Sequence, residues 1–203
     1  MARIPLSQRR RDLVYFLFFA IHLPATFLID LQALYPKEWV PSLISNLPRF
    51  YVEMSNDPLI GSAMGYFGQS QMEAYTWFRS FLLVEAFFQV PVFIIGLRGL
   101  WTGSTSIYVL LLIYAASTTT TTLPCLAVIL STPVSPTPLT ASSVASEAAK
   151  ALGLSLSAEQ RLLLLSSYIP FFLVPLVMTI DMAFRVQSLV SAGGQAQKGA
   201  KEE

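Results

Sequence analysis

The chain is short of most of what a soluble enzyme or a secreted domain relies on. It has a single cysteine, Cys125, which excludes an intrachain disulfide and any cysteine-based metal cluster. It has a single histidine, His22, and only 12% of its 203 residues are charged, against about a quarter in an ordinary soluble domain. Thirteen basic and 12 acidic side chains leave a formal net charge of +1, so nothing in the overall charge points to nucleic acid. No Asn-x-Ser/Thr acceptor occurs, so N-glycosylation offers no topology marker. What the chain has instead is apolar bulk: 54% of residues are hydrophobic and the mean hydropathy is +0.57. This composition is that of a membrane protein.

A helix needs about 20 apolar residues to cross roughly 30 Å of hydrocarbon. Four such runs occur, at about 13–34, 78–97, 106–130 and 162–184. They lack strand alternation, and lipid tolerates only helices or closed barrels, so the sequence predicts an all-α bundle of four transmembrane helices. The first run follows "RRR" as a signal peptide would, but it is long and no small-residue cleavage site follows it, so it reads as a true span. The chain divides into a basic N-terminus (1–12), a membrane domain (13–185) and a tail (186–203).

Basic residues in the short flanks set the orientation. Arg3, Arg9, Arg10 and Arg11 precede the first span, Arg98 lies near the link between the second and third, and Arg185, Lys198 and Lys201 follow the fourth. With an even number of spans these regions share one side, expected to be cytosolic. The other, lumenal side receives two longer connections, 35–77 and 131–161. The first is acidic. The second is rich in Ser, Thr, Ala and Pro and reads as a flexible spacer with one short helix at most.

Polar residues within the spans are the candidates for function. His22, Thr26 and Asp30 recur every four residues and form a polar stripe on one face of the first helix. Glu85 lies about 10 Å inside the second span from its lumenal end and Asp30 about 6 Å inside the first, at 1.5 Å per residue, so two antiparallel neighbours carry carboxyls at similar depth. Gln89 is one turn deeper than Glu85. A carboxyl facing lipid costs about 3 kcal/mol on insertion scales, so such groups usually face a bundle interior or a wet cavity. Two carboxyls within hydrogen-bond distance titrate as a unit and together favour one cationic head on an apolar body. The competing reading of Asp30 is a headgroup-level residue that ends the helix.

Every span carries a proline: Pro24, Pro91, Pro124, and Pro170 with Pro175. Each removes an intrahelical bond and tends to kink its helix, which leaves room between helices. The run "STTTTTLP", Ser117 to Pro124, supplies hydroxyls beside one such kink. Most of these serve helix packing; one or two, Thr121 among them, are assigned to a pocket.

In order and spacing, "HLPATFLIDLQAL" (22–34), "NDPLI" (56–60), "WFRSFLLVEAFFQVPVF" (77–93), "TTTLPCL" in the third span and "YIPFFLVP" (168–175) resemble the sigma-2 receptor family of EXPERA-domain membrane proteins. The resemblance implies four helices with both termini cytosolic, residence in the endoplasmic reticulum, a role in cholesterol homeostasis, a homodimer, and an occluded pocket for sterols and cationic amphiphiles. By position, Asp30 matches the acid that pairs with a ligand amine and Glu85 the acid that orients it. Gln89 matches a polar pocket residue, Asp57 a lumenal-loop acid supporting the pocket, and His22 and Tyr168 positions near the cavity. By its chemistry alone Asp57 is a turn residue before Pro58. Ser117 stands where a His is expected and Phe171 where a Tyr is often found. "GSAMGYFGQSQMEAY" also lengthens the first connection. These departures mark a divergent member, fungal-type or otherwise. The tail places Lys201 third from the end, as in a dilysine signal, but Lys198 is out of register for the spaced form, so the resemblance rather than the tail implies the endoplasmic reticulum.

The wider kinship includes the emopamil-binding protein sterol isomerases, whose chemistry needs a proton donor and a base, with a His near a Glu in the second span. Here that span has Glu85 and no His, so the residues favour noncatalytic binding, assign no catalytic residue and call for no cofactor or metal. Isomerisation stays open as an alternative. A membrane scaffold in which the acids merely join helices is a third reading.

Overall fold

The computed structural model of the chain describes residues 4–135 and 154–202. The first span is α1 (Arg10–Leu28), continued by a tight 3₁₀ turn at Asp30–Ala33. The connection that follows folds into three short helices, α2 (Leu47–Ser55), α3 (Pro58–Ala63) and α4 (Gln69–Ala74). The second span is built in three pieces: α5 (Thr76–Val84), a single wide π turn at Glu85–Gln89, and α6 (Val90–Thr102). The third is α7 (Tyr108–Ser131) and the fourth α8 (Ala158–Glu202). Among the described residues, four helical stretches are long and apolar enough to cross a membrane: Arg10–Ala33, Thr76–Thr102, Thr105–Ser131 and Ala158–Gln195. The four-helix expectation holds. The chain is a multi-pass, all-α membrane protein.

Two boundaries differ from expectation for physical reasons. The first helix starts at Arg10 rather than near residue 13, because its charged first turn finds partners in the fold. The fourth continues to Glu202, well beyond 184, since no helix breaker interrupts its Ala- and Gln-rich tail. The spacer expected within 131–161 is pinned at its ends, where the Ser135 amide donates to the Leu156 carbonyl and the Leu156 amide to the Pro133 carbonyl, both at 2.9 Å. The short helix considered there falls at 136–153, outside the described residues.

The π turn has a local cause. The Val90 amide bonds back to the Glu85 carbonyl, five residues away rather than four. Pro91, one residue on, has no N–H, and its ring would crowd the carbonyl four residues before it in a regular α-helix; a widened turn relieves that contact. In the Thr run the hydroxyls bond back to their own helix: Thr119 to the Ala115 carbonyl at 2.7 Å, Thr122 to that of Thr118 at 2.8 Å. They satisfy backbone near Pro124 rather than joining helices.

The bundle packs α7 along α8 and α1 along α6, with apolar side chains such as Ile21, Ile94, Ile113 and Val177 turned outward, where lipid meets them. Toward the termini the interior is filled by Tyr15, Phe19, Phe93, Leu111, Tyr114 and Met178. Gly96 lets α6 approach α1, since a Cβ there would sit 2.6 Å from the Phe19 ring and 3.3 Å from Leu111. Gly96→Ala should therefore destabilise by about 1–3 kcal/mol through overpacking. Thermal unfolding in detergent checks this, and Phe19→Leu on the same chain should recover part of the loss.

An ionic cluster closes the end of the bundle that carries the termini. Arg185 of α8 donates to Asp12 of α1 at 2.7 Å and pairs with Asp181 of its own helix at 2.7 Å. Asp181 also accepts from Arg11 at 2.7 Å and from the Tyr15 hydroxyl at 3.2 Å. Arg9 pairs with Asp12 and donates to the Leu100 carbonyl at 2.7 Å, capping the end of α6. The Asp181–Arg185 pair expected from its one-turn spacing is thus one edge of a cluster that ties three helices together.

Candidate functional site

At the other end of the bundle the four helices and the 34–75 connection enclose a cavity of about 270 Å³. That lies near the lower end of ligand pockets, about 300–1,000 Å³. Its walls are largely apolar, with Ile29, Ile60, Phe78, Phe81 and Leu82 on the lining. The polar groups are few and convergent. His22, Asp30, Glu85, Gln89, Thr121 and Tyr168 all line it.

The acids reach it by different routes. α1 ends at Leu28, and Ile29 breaks the helical pattern at φ −125°, ψ −67°. The 3₁₀ turn then starts at Asp30. Asp30 therefore both marks the helix end and faces the cavity, so the two readings of it were not exclusive. Glu85 opens the π turn. Its Oε1 accepts from the Thr26 hydroxyl at 2.6 Å, and Thr26 is fully buried. One ligand atom each from His22, Asp30 and Glu85 can be chosen so that all three lie within 4.8 Å of one another. Carboxylates this close repel, and a cation between them removes the repulsion.

The imidazole of His22 is held between rings: Phe171 at 4.4 Å and Phe93 at 4.8 Å, both tilted by 38°, with Phe18 edge-on at 5.3 Å. Its Nε2 is 3.8 Å from Glu85 Oε1. This is too long for a hydrogen bond but makes the two neighbours. Phe171 thus cannot donate a hydrogen bond as a tyrosine would, yet it lines the cavity and sets the imidazole plane.

Asp57 does not line the cavity. It sits behind the wall, fully buried, at a junction that its sequence dictates. Asn56 ends α2 in the left-handed region at φ 52°, Asp57 caps α3 and Pro58 fills the first helical position. Asp57 Oδ1 accepts from the amides of Leu59 at 2.8 Å and Ile60 at 3.1 Å. Oδ2 accepts from the Tyr51 hydroxyl at 2.8 Å and the Tyr168 hydroxyl at 2.9 Å. Burial pushes the carboxyl above its ordinary value, and the four hydrogen bonds pull it back. Burial first and the Asp57 charge second raise the Tyr51 hydroxyl, which therefore stays a donor. Both tyrosines line the cavity, so Asp57 shapes it at one remove.

Some lining residues gave little sign of themselves in the sequence. Tyr51 belongs to a connection, with nothing to separate it from other loop aromatics. Thr26 stood in the polar stripe but was not singled out, and only the packing of α1 against the second span shows its bond to Glu85. Cys125, expected as a packing residue, is buried with its Sγ on the Thr121 carbonyl at 3.3 Å, and it also lines the cavity. Ser117 is not on the lining.

The family model for EXPERA, the expanded EBP superfamily, matches residues 43–182. The chain belongs to the EXPERA family. Sigma intracellular receptor 2 of Homo sapiens is 32% identical over 179 residues, covering 88% of this chain and 90% of that protein. The Macaca fascicularis protein of the same name is 31% identical over 180 residues, again 88% and 90%. Efficient mitochondria targeting-associated protein 19 of Schizosaccharomyces pombe is 27% identical over 189 residues, 91% of this chain and 81% of that protein. The expected kinship with the sigma-2 receptor family therefore holds, and fungal EXPERA relatives match as well. The stretch matched to the EXPERA model begins after α1, the helix that brings His22, Thr26 and Asp30 to the cavity.

Proposed function

We propose that this EXPERA protein binds a sterol or a cationic amphiphile within the membrane, with the cationic or hydroxyl end of the ligand at Asp30 and Glu85 and its apolar body along the aromatic and aliphatic walls. The observation that carries this reading is the two carboxyls, brought together with His22 on an otherwise apolar cavity. In so poorly screened a setting a single positive head is strongly favoured. Gln89, Thr121 and Tyr168 add hydrogen-bonding groups around the ligand, and Asp57 holds the Tyr51 and Tyr168 side of the wall. The relatives' description as intracellular receptors agrees with a small-molecule binder. With the arginine-rich end cytosolic, the cavity lies toward the lumenal face of an endoplasmic reticulum membrane, where the protein takes part in sterol or lipid homeostasis, as a homodimer by analogy with the family.

Asp30→Asn and Glu85→Gln test this. Each removes a charge-assisted contact of about 1.5–3 kcal/mol, so each should weaken binding of a labelled cationic amphiphile by about 10- to 150-fold in folded, purified protein. Undiminished affinity in both variants would sink the reading and leave the scaffold alternative standing.

One observation favours a second reading, isomerisation. The His absent from the second span is supplied by the first, with His22 Nε2 3.8 Å from Glu85. Conversion of a sterol with a ring double bond by the purified protein would promote it.

A further inference from the structure

We propose that His22, Asp30 and Glu85 form a binding site for one divalent transition-metal ion, Zn²⁺ by donor type, inside the membrane-embedded cavity. The proposal shares its side chains with the amphiphile reading but does not rest on it.

Three observations converge. The first is geometric: the three side chains offer one donor atom each, all within 4.8 Å of one another. Zn²⁺ bound tetrahedrally at about 2.0–2.1 Å places its donors about 3.3 Å apart, so closing this set needs shifts of at most about 1.5 Å. The second is the state of His22. It is only 8% exposed and lines the cavity, Nδ1 has no hydrogen-bond partner, and Nε2 meets nothing nearer than Glu85 Oε1 at 3.8 Å. A buried imidazole without hydrogen bonds is costly, and a lone pair given to a metal is one of the few ways to use it here. The third is charge. Two carboxylates and a neutral imidazole match a dication in full, whereas one ammonium leaves an excess negative charge in a low-dielectric site.

The donor set narrows the choice of ion. One nitrogen and two carboxylate oxygens suit Zn²⁺ and its neighbours, whereas Ca²⁺ and Mg²⁺ prefer all-oxygen shells. Three protein donors leave a fourth position for water or a ligand atom. The Thr26 hydroxyl on Glu85 Oε1 supplies the outer contact that orients a ligating carboxylate. Linear motif reading misses the set, because residues 22, 30 and 85 meet only through packing of the first two spans.

The test is a Zn²⁺ titration by calorimetry, with no amphiphile present, of full-length chelator-treated protein carrying no added histidines. One Zn²⁺ per chain is expected. His22→Gln and Glu85→Gln should each weaken binding by more than about 100-fold, since outer-shell changes alone cost about 10- to 100-fold. Because His22 is the only histidine in the sequence, a Cu²⁺-loaded sample should show one imidazole nitrogen on the metal by electron paramagnetic resonance, which assigns the site even if a variant misfolds. Absence of binding by the wild type, a metal without imidazole ligation, or undiminished binding in both variants would overturn the site. None of these results bears on amphiphile affinity, so failure of either reading is read separately.

Discussion

Asp57→Ala is expected to lower the thermal midpoint of the detergent-solubilised protein by about 10–20 °C. The carboxyl is fully buried and accepts from two backbone amides and two tyrosine hydroxyls. Alanine leaves these four donors without their acceptor, at a cost of about 4–6 kcal/mol in total. Each kcal/mol moves the midpoint of a chain this size by about 2–4 °C. Asp57→Asn should cost far less, because asparagine is also a good cap for α3 and its amide can donate to a tyrosine oxygen. The alanine variant should also bind ligand poorly although Asp57 does not touch the cavity, since Tyr51 and Tyr168 lose their anchor. An alanine midpoint within about 3 °C of wild type, on the scale just used, would show that the junction does not depend on this carboxyl.

Arg185→Met should be nearly as damaging, at about 3–5 kcal/mol, while leaving the cavity intact. Removing one member of a buried ionic group leaves the others uncompensated. Asp12 and Asp181 are only 6% and 7% exposed, and both contact Arg185. Arg185→Lys should fall between, because a single ammonium cannot reproduce a planar fork that bridges two acids and lies 5.3 Å above the Tyr108 ring. Thermal unfolding of the three proteins gives the ranking. Amphiphile affinity measured well below the midpoints should be unchanged, since the cluster and the cavity lie at opposite ends of the bundle.

The four spans were legible because each is an uninterrupted apolar run, and lipid leaves a chain little choice but to make a helix of it. Asp30 and Glu85 were legible for the same reason: a charge stands out against such a background, and rise per residue gives its depth. Gln89 followed from helical spacing alone. The connection between the first two spans was less legible. Tyr51 reaches the cavity through the turn at Asn56 and Asp57, and "NDP" predicts a turn without saying what the turn brings near. The ionic cluster was legible only as one pair within one helix, because Arg9, Arg11 and Asp12 meet α6 and α8 through tertiary packing. Asp30 was posed as either a helix end or a pocket acid, a choice that assumed the α-helix continued to residue 34. The switch to a 3₁₀ turn let it be both.

The wide turn at Glu85–Gln89 makes the second span unusually sensitive to chain length. A π turn holds one residue more than an α turn, so deleting a single residue between 85 and 89 would restore regular winding and rotate everything beyond it by about 100° relative to everything before. Glu85 and Phe93 could then no longer both keep their present bearings toward His22. Point substitutions in this segment test individual side chains; a one-residue gap in an alignment across it would instead signal a differently aimed helix, and with it a different cavity.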